Sequence, residues 1–171
     1  MRYHHGMRPQ DIAILLKIIA IKDNDLWYNK DIAADLYISP AEFSDSLHRS
    51  DMAGLIEKEK KKVYRQSLME FLEHGLHYVF PAAPGTMVNG IFTAHSHPFM
   101  QALFSSDLNY VWPDPRGVER GLSILPLYDK QVNAARKDSK LYLMLALLDV
   151  IRVGRVREIK VAIEELKKMI L

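Results

Sequence analysis

Cysteine is absent from this 171-residue chain. That excludes disulfides and thiolate metal sites and fits a reducing, cytoplasmic setting. Long apolar runs are missing too. The two most apolar stretches, IAILLKIIAI (12–21) and LYLMLALL (141–148), fall far short of the roughly 20 residues a bilayer-spanning helix needs. The amino-terminal MRYHHGMRPQ has no apolar core of signal-peptide type, so no membrane partner is expected. The chain also lacks a nucleophile elbow, a phosphate loop and a dinucleotide fingerprint. PAAPGTMVNG (81–90) carries glycine but not the Lys-Ser/Thr ending of a phosphate loop. No enzyme and no cofactor is expected. Charge of one sign is not in excess: the net is +2, with residues 1–80 at −1 and 81–171 at +3. Any electrostatic footprint for a polyanion must therefore be local.

What is present is a globular composition, 49% apolar and 26% charged, at a length that can bury a core unaided. Pro9 suits the first position of a helix. Ile12, Leu15, Leu16, Ile19 and Ala20 then recur at spacings of three and four, the mark of one apolar helical face. Asn29 is a candidate cap for a second helix, with Ile32, Ala33 and Leu36 inward. Ser39-Pro40-Ala41-Glu42 has the form of a capping box, in which serine and glutamate satisfy two orphan amides reciprocally. Phe43, Leu47 and Ser50 face inward along the helix that follows. Gly54 is a terminator, Leu55-Ile56 re-enter the core, and the lysine-rich EKEKKKVYR (57–65) leads into a fourth helix ending at Gly75. From His77 to Asp129 helical periodicity fades and six of the eight prolines collect. HYVF, NYVW and GLSILPLY read as short strands there. Two helices close the chain. One is capped by Asp138 or Ser139 and stopped by Gly154. The other carries Val156, Ile159, Ile163, Leu166 and Ile170 on one stripe, with a Glu164/Lys168 pair.

The order of helix, short strand, helix, tight turn, helix, AGLIE and basic turn resembles the DNA-binding core of MarR-type winged helix-turn-helix transcriptional regulators. The resemblance covers residues 8–66 and is most specific from Ile32 to Ile56. It implies that the 40–53 helix enters the major groove, presenting Ala41, Glu42, Ser44, Asp45, His48 and Arg49. Ser39 at the helix start would meet a phosphate, and Lys58, Lys60, Lys61 and Lys62 would form a wing on flanking phosphates. It also implies a homodimer on double-stranded DNA, with the apolar terminal helices as the dimer surface, and a small-molecule effector or protein partner. The sequence departs from the family pattern in three places. Tyr37 stands where the turn usually has a small residue, and a left-handed conformation there would cost about 1 kcal/mol. The wing is short and has no glycine at its tip. Glu42 and Asp45 are acidic: Glu42 is expected to turn back on its own helix terminus, whereas Asp45 faces outward and would repel phosphate or accept from cytosine N4.

Other residues invite weaker readings. His74/His77 and His95/His97 could build a zinc site if the fold united them; separate capped or surface histidines are the simpler expectation, and no metal is assigned. Tyr78, Phe80, Phe92, Phe99, Phe104, Tyr110, Trp112 and Tyr128 either pack the middle region or line an effector pocket. Arg152, Arg155, Arg157 and Lys160 form a basic cluster at the last helix junction. The fold class expected is mainly α (α+β). Residues 8–76 form an N-terminal winged helix-turn-helix. Residues 77–171 form an irregular, proline-rich segment and a C-terminal helical pair. The function expected is sequence-specific DNA binding, the alternative a winged-helix interaction module of antitoxin or adaptor type without strong DNA readout.

Overall fold

The computed structural model describes residues 6–21, 26–59 and 61–171. Its elements run α1 (Pro9–Ala20), α2 (Asn29–Asp35), α3 (Pro40–Met52), β1 (Ile56–Glu57), β2 (Lys62–Val63), α4 (Arg65–His74) and α5 (Leu76–Val79). There follow β3 (Met87–Phe92), a 3₁₀ turn (Ala94–Ser96), α6 (Pro98–Gln101), β4 (Tyr110–Pro113), β5 (Glu119–Ser123), α7 (Gln131–Lys137), α8 (Ser139–Val153) and α9 (Val156–Ile170). The class is α+β. Among the described residues, no helix is long and apolar enough to cross a membrane. The chain divides into two compact units, Met1–Leu68 with Leu127–Leu141, and Met69–Pro126 with Tyr142–Leu171. Residues 127–141, assigned from sequence to the carboxy-terminal extension, thus belong with the first unit.

In the first unit α1 and α2 both pack on α3. Ile12, Leu15, Leu16 and Ile19 from α1, Ile32, Ala33 and Leu36 from α2, and Phe43 and Leu47 from α3 are all buried. This is the core that the three-and-four spacing anticipated. Two helix exits are Schellman motifs. At the end of α3, Gly54 takes φ +72, Leu55 N–H bonds Ser50 C=O at 2.9 Å and Gly54 N–H bonds Asp51 C=O at 3.0 Å. At the end of α2 the same pattern turns on Tyr37 at φ +58, with Ile38 N–H on Ala33 C=O at 3.0 Å and Tyr37 N–H on Ala34 C=O at 3.1 Å. The turn between α2 and α3 is therefore left-handed at a tyrosine. β1 and β2 form a two-stranded antiparallel pair, Ile56 opposite Val63 and Glu57 opposite Lys62. Residues 127–141 are stitched to this unit by polar bonds. Tyr128 Oη donates to Leu36 C=O at 3.0 Å, and Lys17 Nζ meets Asp138 at 2.9 Å and Asp35 at 3.3 Å. Asp138 also accepts from Leu141 N–H at 2.9 Å, as the sequence cap predicts.

The second unit is built around a closed three-stranded barrel in which β3 runs antiparallel to both β4 and β5, while β4 and β5 are parallel. So tight a closure needs strands without side chains where they cross. A Cβ on Gly90 would land on the Trp112 carbonyl, and one on Gly121 would lie 2.5 Å from Asn109 O. Both are glycine for close backbone approach. The sequence reading is corrected at several points here. HYVF forms α5 rather than a strand, Met87–Phe92 is a strand that was not anticipated, and α7 is an additional helix. In α9 the buried positions are Glu158, Ala162, Leu166 and Ile170, while Val156 is 84% exposed. Lys168 pairs with Glu165 at 3.1 Å, not with Glu164.

Candidate functional site

Helix α3 is the element on which the expected contact residues lie. Ser39 caps it, its Oγ accepting from Glu42 N–H at 3.1 Å. With Phe43, Ser46, Leu47, Arg49 and Ser50 turned inward, the solvent face carries Ala41, Asp45, His48, Asp51 and Met52, with Ser44 half-buried beside them. Four of the expected residues, Ala41, Ser44, Asp45 and His48, therefore share one outward stripe, beginning at the exposed cap Ser39.

Arg49 does not belong to that stripe, and its placement on the exposed face is corrected. The residue is 8% exposed. Its Nε and Nη2 hold Asp11 of α1 at 2.9 and 2.7 Å, and Nη2 also reaches Glu42 at 2.7 Å. The fork geometry of a guanidinium suits this two-oxygen grip. Hydrogen bonds to Asp11 outweigh the cost of burial and raise the guanidinium pKa further. Asp11 is fully buried and takes a third donor, Arg8 N–H, at 2.8 Å. Glu42 is corrected with it. Its carboxylate does not return to its own helix terminus; instead it accepts from Arg49 and from Gln10 Nε2 at 3.2 Å and lies 3.6 Å from Arg8. Only the serine half of the capping box forms at α3. The acidic half forms elsewhere, at α1 (Asp11 on Arg8 N–H) and at α9 (Glu158 on Arg155 N–H, 2.8 Å).

The lysine turn is similarly mixed. Lys62 is exposed, in register with Glu57. Lys58 is half-buried, its N–H on Asp51 Oδ1 at 3.2 Å. Lys61, at φ +51, folds its ammonium onto Trp27 C=O at 3.0 Å and over the Trp27 ring at 4.6 Å, a cation–π contact. Lys60 lies outside the described residues. The α3 stripe and its adjoining turn thus combine Asp45, Asp51, Glu57 and Glu59 with Lys58, Lys61 and Lys62, and no arginine projects from the helix.

Four polar side chains of Thr93–His97 in the second unit are all engaged, and all five residues are buried. Thr93 Oγ1 donates to Asp149 at 2.7 Å, joined there by Trp112 Nε1 at 2.6 Å and Arg152 Nη1 at 2.8 Å. Arg152, expected in a surface basic cluster, is in fact internal. Besides Asp149 it binds the carbonyls of Phe80 at 2.9 Å and Leu125 at 3.2 Å. Burial pushes the Asp149 carboxyl up, against the pull of Arg152, Thr93 and Trp112. His97 Nδ1 accepts from Phe99 N–H at 3.1 Å, which requires that nitrogen unprotonated, and burial lowers the imidazole to about 4. His77 Nδ1 bonds Arg152 C=O at 3.2 Å, and His95 Nε2 bonds Leu108 C=O at 2.6 Å. Among the described residues, no group of three or more His, Asp or Glu converges to hold a metal ion. His77, His95 and His97 were visible in sequence, but the engagement of each with a main-chain atom was not; His74 instead lies exposed, 4.0 Å from Glu73.

Neither a protein family, nor a curated protein, nor a solved structure matches the chain.

Proposed function

We propose that the first unit is a winged helix-turn-helix that binds double-stranded DNA as part of a cytoplasmic transcriptional regulator, α3 entering the major groove. The observation that carries this reading is the outward stripe of exposed Ser39, Ala41, Asp45 and His48 with half-buried Ser44. It lies on a helix held by two others through a tight turn and followed by a lysine-bearing hairpin. The stripe offers hydroxyl, imidazole and carboxylate groups to base edges, and Asp45 suits cytosine N4. Attraction to phosphate rests on Lys58 and Lys62, Lys61 being held on Trp27, aided by the α3 amino terminus. So few cations predict a shallow salt dependence: about two phosphate contacts give a log–log slope of about −2. One such helix gives modest affinity, so the reading includes a homodimer on a palindromic site.

Selection from random duplex DNA, at low and moderate salt, tests it. An enriched palindrome is expected, with His48→Ala relaxing the preferred base at one position. Lys62→Ala should weaken all sequences alike and flatten the salt slope by about 1. No enrichment at either salt would overturn the reading. The acidity of Asp45, Asp51, Glu57 and Glu59 around α3, with Arg49 withdrawn, favours one second reading: an interaction module of antitoxin or adaptor type, whose partner would present a basic face.

A further inference from the structure

A cleft of about 190 Å³ in the second unit is lined by His95, Asp107, Tyr110, Val153, Arg155 and Glu158, among others. It is about six waters' share of liquid volume, below the size of a drug-like pocket. Its walls are specifically built. Ala94, fully buried, is held at φ +52, a left-handed conformation that costs a non-glycine residue about 1 kcal/mol and is found preferentially at functional sites. The turn it makes delivers His95 to the cleft. A carbonyl can only accept, so Nε2–H of His95 donates to Leu108 C=O, which fixes the ring with its Nδ1 edge turned away from that bond.

Glu158 is 6% exposed. One oxygen takes Arg155 N–H, but among the described residues no Lys, Arg or His pairs with it. A buried carboxylate without a cation is costly. Asp107 adds a second carboxylate at the rim and His95 an imidazole, while the exposed Arg155 supplies one guanidinium. Among the described residues, the buried carboxylate of Glu158 is left without a cation, and the cleft is not arranged for a metal ion. The geometry points to a binding site for a free α-amino acid, its ammonium on Glu158 and Asp107 and its carboxylate on the Arg155 fork. The inference is independent of the DNA reading.

The full-length protein would be titrated with the free amino acids by calorimetry and thermal melting. For the best binder, the N-acetylated form (no ammonium) and the decarboxylated amine (no carboxylate) would follow. A dissociation constant on the order of millimolar is expected for so small a ligand. Acetylation should abolish binding, and decarboxylation should weaken it about tenfold or more, the scale of a lost charged hydrogen bond. Glu158→Gln keeps an acceptor for Arg155 N–H, so it should fold and fail to bind. Asp107→Asn, at an exposed position, gives a second variant with weakened binding should Glu158→Gln not fold. Three results would each overturn the site: no amino acid binding at about tenfold above that concentration, N-acetyl forms binding equally well, or undiminished binding in folded Glu158→Gln and Asp107→Asn.

Discussion

Each unit of the chain holds a buried arginine–carboxylate pair, and the two are built on different plans. In the first unit Arg49 and Asp11 come from helices α3 and α1, 38 residues apart. The pair joins two elements and fixes how α3 sits. In the second unit Arg152 and Asp149 are three residues apart on α8. That pair costs little chain entropy to assemble, and it acts as a hub that gathers Thr93, Trp112 and the carbonyls of Phe80 and Leu125. A long-range pair orients one helix, whereas a local pair organises irregular chain around one helix. The second plan suits a region with short strands and little helical periodicity, because each buried carbonyl there needs a donor.

The largest expected effect comes from removing the hub. Asp149→Ala leaves Arg152 buried and unpaired and frees Thr93 and Trp112, a loss of about 3–5 kcal/mol. Urea unfolding would measure it, with Trp112 emission, in a Trp27→Phe background, reporting the second unit. Arg49→Ala strands Asp11 but leaves the half-exposed Glu42 to water, so about 2–4 kcal/mol is expected. Trp27 lies edge-on to Phe43 of α3 at 6.4 Å and reports this change. If Asp149→Ala, with Trp27 retained and Trp112 replaced by Phe, leaves the Trp27 transition unmoved, the two units unfold separately; if both probes shift, they unfold as one. Arg49 also separates stability from recognition. An Arg49→Ala protein that remains folded should keep the salt slope of the wild type for DNA, because its guanidinium faces Asp11 and not solvent. A slope flattened by about 1 would put Arg49 on phosphate instead.

Acid sharpens the comparison from another side. The His97 imidazole is lowered from 6.5 to about 4 by burial, so the unfolded chain takes up a proton that the native ring refuses. Stability from this group is complete above about pH 6.5 and is lost as pH falls toward about 4, by up to about 3 kcal/mol. His97→Asn retains an acceptor for Phe99 N–H and does not titrate. Its stability should therefore be flatter than that of the wild type between pH 6.5 and 4, with the difference seen at Trp112. Parallel curves would mean that the folded ring binds its proton normally.

Legibility followed the range of the forces involved. Pro9, the Ser39 cap, the Gly54 exit, the Asp138 cap and the apolar faces of α1 to α3 are settled by residues within a turn or two of one another, and the sequence displays them. Met87–Phe92 pairs with residues nineteen or more positions later in the chain; its alternation is broken by a glycine, because closure of the barrel demands glycine at Gly90. HYVF has strand-forming residues but lies in helix α5, where tertiary context outweighs propensity. Arg49 and Arg152 looked like surface cations because helical spacing places a residue on a face but does not reveal a carboxylate arriving from another element. The outward stripe of α3 was legible to the extent that its complement, marked by Phe43, Leu47 and the small Ser50, was periodic. The cleft at His95 was not, since residues 95, 107 and 158 meet only through the fold.

The smallest expected effect tests the turn that sets α3. Tyr37 occupies the left-handed position of a Schellman motif at which glycine is the usual residue, at a cost of about 1 kcal/mol. Part of that cost is offset by Lys137, whose ammonium stands 4.7 Å from the Tyr37 ring centroid, an exposed cation–π contact worth about 0.5 kcal/mol. Tyr37→Gly should therefore raise stability, by about 0.5 kcal/mol, despite glycine's greater freedom in the unfolded chain. In a Lys137→Ala background the offset is gone, and the same substitution should gain about 1 kcal/mol. Denaturant midpoints of the four proteins close the cycle. A loss on Tyr37→Gly in both backgrounds would mean that the tyrosine ring contributes more through contact than its backbone costs in strain, and the motif that joins α2 to α3 would then depend on a side chain as well as on main-chain bonds.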